Sequence, residues 1–146
     1  MKRLLLFLPL LMAGCATVPM ASPEEDQKAK QFTAPSKGFS GLYVYRDAFL
    51  GGGRALKKDV YVDDKRIGET AHGVYFYKLL KAGKHKISTE SEFSNNDLHL
   101  NMQSGKNYFV EQYIRPGVFV GGANINQVSE EKGKKAVLER KLAISY

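Results

Sequence analysis

From Gly41 onward, apolar and polar residues alternate in short runs that are separated by Gly, Asn and Asp. The segment LHLNM is the clearest case, because Leu98, Leu100 and Met102 would face one side of an extended chain and the polar residues between them the other. Such runs, rich in β-branched and aromatic residues, are typical of an all-β sandwich or barrel. The predicted strands lie at 42–46, 58–62, 65–69, 74–80, 85–91, 98–102, 108–114 and 123–128.

The alternation also predicts which side chains form the core. We expect Val60, Val62, Ile87, Leu98 and Leu100 to be buried, because each occupies the apolar phase of its strand. A register shifted by one residue would place all of them on the surface. Residues 38–146 have the length of one ordinary domain, and the sequence shows no internal repeat.

A short helix is predicted within the segment at 15–37, which otherwise has the proline and charge content of a tether. Ser22 has the position of an N-cap, Pro23 that of the first helical residue, and Glu24 and Glu25 lie in the first turn.

A second helix is predicted after the strands. Ser129 is its N-cap, Glu130 lies in the first turn, and Arg140 and Lys141 lie in the last turn. Gly133 lies inside this helix, where glycine is about 1 kcal/mol less favourable than alanine.

The N-terminus has the order of a secretory signal. Lys2 and Arg3 precede an apolar run at 4–12, which is followed by small residues and Cys15. Nine residues make about 14 Å of helix, whereas a bilayer core is about 30 Å thick, so the run is too short to span a membrane.

The sequence LMAGC resembles the bacterial lipobox, with Met12 where leucine is usual. The resemblance implies that residues 1–14 are removed and that Cys15 carries a diacylglycerol thioether and an N-acyl chain, which attach the protein to a membrane. Ala16, rather than aspartate, follows the cysteine, which favours the outer membrane of a Gram-negative envelope with the domain facing the periplasm. Because Cys15 is the only cysteine, no intramolecular disulfide can form.

The charge of the chain is moderately basic. It has 22 Lys and Arg against 15 Asp and Glu; loss of Lys2 and Arg3 leaves 20 against 15, a net charge of +5. This favours weak attraction to anionic lipid head groups or cell-wall polymers over nucleic acid, which a secreted protein seldom meets. The alternative is that the lysines serve only solubility.

The segment DVYVDDKRIGETAHGVYFYKLLKAGKHKIS has the valines, aspartate turn, glycines and Gly-x-His turn of a PEGA-type repeat. With the lipobox, GLYVYRD and KNYFVEQ, the chain over residues 36–144 resembles a family of bacterial lipoproteins that carry a PEGA-like domain of unknown function. The resemblance implies a mainly β fold, a single antiparallel β-sandwich with a short helix at each end. It implies no activity.

Candidate catalytic residues are scattered. His72, His85 and His99 lie on different segments without the spacing of metal ligands, so we expect no metal site. Glu90 and Glu92 would share one strand face and could act as an acid and a base.

Three further motifs have ordinary structural explanations. Asp63 and Asp64 form a turn, and FLGGGRALK lacks the lysine and hydroxyl residue of a phosphate-binding loop, so a flexible connection is expected. Five tyrosines either pack against the sheet with their hydroxyls in water or form a sugar-stacking platform. They are Tyr43, Tyr45, Tyr61, Tyr75 and Tyr77.

The segment IRPGVFVGGANI places Val118, Phe119 and Val120 between glycines. Either this trio packs into the edge of the sandwich or continues a strand, or it forms a mobile apolar finger that contacts a partner beside Arg115. The sequence therefore favours a non-catalytic envelope lipoprotein without cofactor that binds another envelope protein or peptidoglycan. The alternative is a periplasmic hydrolase that acts on glycans or lipids.

Overall fold

The computed structural model describes residues 17–47 and 52–146 of the chain. Cys15 and the rest of the expected signal and lipidation site lie outside the described residues. Within these two ranges, one α-helix precedes eight consecutive strands, and a second α-helix is followed by a two-residue strand. The elements are α1 (Pro23–Ala29), β1 (Phe39–Arg46), β2 (Lys58–Val62), β3 (Lys65–Thr70), β4 (Val74–Lys81), β5 (Gly83–Glu90), β6 (Asn95–Met102), β7 (Asn107–Arg115), β8 (Gly122–Val128), α2 (Glu130–Leu138) and β9 (Lys141–Leu142).

The strands form two sheets, as a mainly β sandwich requires. One sheet has five strands in the order β8-β7-β1-β4-β9, and the other has four in the order β3-β2-β5-β6. Most neighbours are antiparallel, but β1 with β7 and β4 with β9 run parallel. The predicted fold class, a β-sandwich with a short helix near each end, is therefore confirmed.

The predicted core residues lie between the two sheets. Val60, Val62, Ile87 and Leu100 are buried, and Leu98 is half-buried against the same cluster. A second apolar cluster lies on the outer face of the five-stranded sheet, where α1 and α2 cover tyrosines and Phe109. Both clusters consist of residues from position 18 onward, so the body that starts at Thr17 contains its own core.

The segment expected as a tether differs from that expectation, because much of it packs on the sandwich. Val18 and Ala29 are buried, and Met20 pairs with Ala143. The side-chain amide of Asn107 also donates to the carbonyl of Phe32 at 3.0 Å. Residues 18–32 are therefore part of the folded body: Val18 joins the cluster between the sheets, and Ala29 and Phe32 join the cluster on the outer face.

Helix α2 ends earlier than predicted. Its C-cap is Glu139, so Arg140 and Lys141 do not form its last turn. Lys141 instead begins β9, and the buried Arg140 donates through Nε to the carbonyl of Arg46 at 2.5 Å. Both predicted N-caps are confirmed; Ser22 forms a complete capping box with Glu25.

The two ends of the sandwich are distinct surfaces. We call the end where β1 begins the lysine end; it comprises residues 36–39, 63–65, 81–86 and 101–107. We call the other the Arg46 end; it comprises residues 47, 52–57, 71–73, 90–94 and 115–121. Strand pairing supports this division, since Phe39 lies opposite Lys81, whereas Arg46 lies beside Gln112.

Candidate functional site

The apolar trio after β7 is exposed. Val118, Phe119 and Val120 are 76%, 84% and 56% exposed. The expectation that they pack into the edge of the sandwich is therefore wrong. Their contact with a partner, together with that of Arg115, stays a prediction.

The loop that carries this trio is held by one carboxylate. The side chain of Glu92 accepts hydrogen bonds from the backbone N–H groups of Val118 at 2.7 Å, Val120 at 3.2 Å and Phe119. These bonds, foremost the one from Phe119, hold the pKa of Glu92 below its ordinary value of 4.5 and outweigh burial, which raises it. The loop is thus anchored to the turn after β5, rather than being the mobile finger that the glycines indicated.

A fourth apolar side chain lies next to this anchor. Phe93 directly follows Glu92 and is 77% exposed. We call Phe93, Val118, Phe119 and Val120 the apolar patch. Single exposed apolar residues are common, whereas several in adjoining turns are typical of interaction sites.

Glycine is required where the loop turns back on itself. A Cβ at Gly117 would collide with the carbonyl of Val120 and lie 2.7 Å from the carboxylate of Glu92. The close approach of these backbone groups depends on the missing side chain. The glycines around the trio therefore fix the shape of the loop.

A buried arginine supports the same end of the molecule. Arg46 is 1% exposed and donates to the hydroxyl of Thr70 at 3.0 Å and to the carbonyls of Gly53 at 3.1 Å and Leu56 at 3.0 Å. A Cβ at Gly121 would lie 2.6 Å from Leu56, so the segment that Arg46 holds packs directly beneath the start of β8. Burial lowers the pKa of Arg46 to about 10, so it remains charged at neutral pH.

Arg46 is linked to a chain of buried polar groups that the sequence interpretation missed. Thr70 contacts the side-chain oxygen of Gln112, whose amide donates to Thr89 at 2.7 Å, and Thr89 donates to the carbonyl of Asp59 at 2.9 Å. A signal was available, because Arg46 continues the inward-facing phase of Leu42 and Val44. The described part of the glycine-rich connection is ordered where a flexible segment was expected, since Gly52–Ala55 forms a short 3-10 helix.

The three histidines are not brought together. His72 lies 3.1 Å from the guanidinium of Arg54, and burial, followed by the charge of Arg54, lowers its pKa. His99 is exposed on β6, and His85 lies on β5 at the lysine end. Among the described residues, no group of three or more His, Cys, Asp and Glu side chains is placed to hold a metal ion.

His85 has an electrostatic environment of its own. Its Nδ1 lies 2.7 Å from the carboxylate of Asp63 and its Nε2 lies 2.7 Å from the carbonyl of Lys81. Burial alone lowers the pKa of His85, but these two acceptors raise it by more. Asp64 pairs with Lys86 at 2.6 Å, so both aspartates of this turn are engaged.

The candidate acid and base residues do not form a pair. Strand β5 ends at Glu90, so Glu92 lies in the following turn and not on the same strand face as predicted. Glu90 lies 3.8 Å from Lys58, while Glu92 binds the loop amides. This arrangement gives each carboxylate a structural role.

Three of the five candidate tyrosines pack in the protein, which is one of the two arrangements that we expected from the sequence. Tyr43, Tyr45 and Tyr75 are buried, and their hydroxyls bind protein groups; Tyr43 donates to the carbonyl of Ala29 at 2.8 Å. Tyr43 and Tyr77 form the floor of a cleft of about 470 Å³ between α1 and the C-terminal residues. Because Tyr43 is 1% exposed, it offers no free ring face for stacking on a sugar.

Comparison with known proteins gives a family but no activity. The sequence model of a family described as "Protein of unknown function (DUF2846)" matches residues 36–123. An uncharacterized protein of Haemophilus influenzae is 64% identical over 137 residues, which cover 94% of this chain and 80% of the relative. No solved structure matches the chain.

Proposed function

We propose that this chain, which belongs to the DUF2846 family of proteins of unknown function, is a non-catalytic lipoprotein of the bacterial cell envelope that binds a partner protein through its apolar patch. The observation that carries the proposal is the patch itself. Its four apolar side chains are between 56% and 84% exposed, yet Glu92 fixes the backbone that presents them. A fixed apolar surface loses little conformational entropy on binding.

The course of the N-terminal segment supports a protein rather than a membrane as the partner. Met20 pairs antiparallel with Ala143, and β9 runs parallel to β4, so the chain followed backwards from Met20 heads towards Lys81. Lys81 lies opposite Phe39 at the start of β1, whereas the patch follows Arg115 at the far end of the parallel strand β7. At about 3.3 Å per residue, the N-terminal exit and the patch are roughly 20 Å apart. A lipid on Cys15 would leave the patch pointing away from the bilayer.

The described residues give the hydrolase alternative little support. Glu90 and Glu92 are each engaged, and the three histidines lie apart. Hydrolysis of a glycoside by two carboxyl groups needs both groups free to act on either side of the scissile bond. Among the described residues, no helix is long and apolar enough to cross a membrane. The anchor that we propose is a lipid on Cys15, on the basis of the lipobox.

The anchor is tested by labelling cells with a palmitate analogue. We expect the wild-type chain to be labelled and the Cys15→Ala chain to carry no label. Equal labelling of both would reject the lipoprotein assignment without bearing on the apolar patch.

The binding role is tested by crosslinking in intact cells, followed by identification of the captured protein. We expect Phe119→Ala to weaken capture by about tenfold or more, as loss of an exposed aromatic anchor does at many interfaces, with little change in melting temperature. Leu138→Ala is a matched control, because Leu138 is 57% exposed on α2, outside the patch. A sharp fall in melting temperature with unchanged capture would show that Phe119 is a packing residue and that the proposal is wrong.

A further inference from the structure

We propose that the lysine end of the sandwich rests on a lipid bilayer that contains anionic phospholipids. The orientation of the molecule in this inference rests on the proposed anchor at Cys15. The charge of the surface does not depend on that anchor, because it follows from the described residues alone.

The net positive charge of the molecule is concentrated at this end. The segments 36–39, 63–65, 81–86 and 101–107 carry six lysines against two aspartates. The lysines are Lys37, Lys65, Lys81, Lys84, Lys86 and Lys106. Apart from the buried Arg46, the Arg46 end carries three basic and three acidic side chains, whose formal charges sum to zero. The difference is large enough to give the molecule a charged face and a neutral face.

Backbone hydrogen bonds bring these segments together from distant parts of the sequence. The N–H of Ala82 donates to the carbonyl of Gly38 at 2.9 Å, and the N–H of Gly41 donates to that of Lys106 at 3.0 Å. In the second sheet, the N–H of Asp63 donates to the carbonyl of Lys86 at 2.8 Å. The sequence separates these lysines, and the two sheets collect them at one end.

Most of this charge is not compensated within the molecule. Lys37, Lys81, Lys84 and Lys106 are exposed, and none forms an ion pair with another described residue. The two acidic side chains at this end are engaged by His85 and Lys86, as described above. Ammonium groups that project into water without partners are suited to phosphate groups outside the protein.

Two apolar side chains adjoin the lysines. Phe39 is 36% exposed and lies opposite Lys81, and Leu79 is 49% exposed two residues before it. A surface that combines lysines with apolar residues fits the boundary between lipid head groups and acyl chains.

Several kinds of polyanion could bind these lysines, and the position of Thr17, where the described N-terminal segment begins, favours a lipid bilayer. Only Ala16 separates Thr17 from Cys15, and two residues reach at most about 7 Å. Charges are screened over about 8 Å at physiological salt, so an acylated Cys15 would hold the neighbouring lysines within the range of the head-group charge. The occupant that we infer is therefore the surface of the membrane to which the protein is attached.

The test uses a non-acylated form that begins at Thr17, because this form contains the whole of the described core. Its binding to phosphatidylcholine vesicles is measured by sedimentation, with and without phosphatidylglycerol. We expect binding only when phosphatidylglycerol is present, and a loss of that binding at about 1 M salt. The assay contains no lipid anchor and no partner protein. Vesicle binding can therefore be absent while the proposed function is correct, and it can be present while the proposed function is wrong.

Charge-reversal variants locate the surface. We expect Lys81→Glu with Lys84→Glu to weaken binding by at least about 25-fold, since each lysine near an anionic surface contributes about fivefold. The control, Lys57→Glu with Lys135→Glu, has the same net charge but changes exposed lysines outside the lysine end, and we expect a loss of less than about threefold. Lys37→Glu with Lys106→Glu gives an independent second measurement at the lysine end.

Two results would overturn the inference. The first is equal binding to vesicles with and without phosphatidylglycerol, or no binding to either. The second is an equal loss in the control and in both lysine-end variants, which would show that only the overall charge matters. Thermal melting of each variant establishes that a loss of binding is not a loss of fold.

Discussion

The two ends of the sandwich use cations in opposite ways. At the lysine end, Lys37, Lys81, Lys84 and Lys106 project into water. At the other end, Arg46 is 1% exposed, and its guanidinium donates hydrogen bonds to Thr70 and to two backbone carbonyls. An exposed cation acts on charges outside the protein, whereas a buried one fixes the protein around it. The comparison therefore separates a surface made for long-range attraction from one made for a defined shape.

The chemistry of the two side chains matches these uses. A guanidinium is planar and offers five donors in fixed directions, so a buried Arg46 can satisfy several acceptors at once. An ammonium on a flexible stem is strongly hydrated and is suited to remaining in solvent. The apolar patch lies at the end whose cation is buried, so the shape of this surface rather than its charge would distinguish partners.

The largest effect is expected when the buried cation is removed. Arg46→Met leaves the hydroxyl of Thr70 and the carbonyls of Gly53 and Leu56 without their donors, and we expect a loss of about 3 to 5 kcal/mol in the free energy of unfolding. Lys81→Met, the matched change at the lysine end, should alter it by less than about 0.5 kcal/mol. Urea denaturation measures both. Similar losses in the two variants would remove the distinction between the ends.

The next effect concerns the loop that carries the apolar patch. Glu92→Gln replaces the charged carboxylate that accepts hydrogen bonds from three backbone N–H groups. We therefore expect the amides of Val118, Phe119 and Val120 to exchange hydrogen several-fold faster. The amide of Phe109, inside β7, serves as the control and should be unaffected. Unchanged exchange in the loop would mean that the glycines and backbone alone hold its shape.

Acid should reproduce the effect of that substitution in the wild-type chain. Because the pKa of Glu92 is lowered in the folded protein, its contribution is complete above about pH 4.5 and is lost as the pH falls through the lowered pKa. We expect quenching of a fluorescent label attached at position 119 to change in this acid range when residue 92 is glutamate. In the labelled Glu92→Gln chain, we expect the quenching to be independent of pH. A response that both proteins share would assign the acid effect to another group.

The smallest effect is expected at the lysine end. The pKa of His85 is raised in the folded state, so its contribution to stability is complete below its ordinary pKa of 6.5 and is lost as the pH rises through the folded value. His85→Gln should therefore reduce stability at pH 6 by less than about 1 kcal/mol, and should have still less effect at pH 9. Urea denaturation at the two pH values checks the sign. A larger loss at pH 9 would show that the neutral ring is the stabilising form.

Much of the fold could be predicted because its signals are local. All eight predicted strands are present, and each begins within three residues of its predicted start, because period-two alternation is visible along each strand. The strand β9 was missed because two residues carry no detectable period. The candidate site was less predictable: the exposed trio could be named, but its anchor at Glu92 lies 26 to 28 positions away.

The sequence by itself determined where the first eight strands lie, which of their faces are apolar, and where both helices begin, because these depend on neighbours within a few residues. Tertiary structure alone decided what Gly133, Arg46 and residues 18–32 do. The sequence marks Gly133 as a cost to α2, yet a Cβ there would collide with Phe109, so glycine is what allows the helix to lie on the sheet. Arg46 became an interior residue because acceptors from β3 and residues 53–56 meet around it. Such contacts join residues that are distant in the chain, and only the packing of the two sheets brings them within reach.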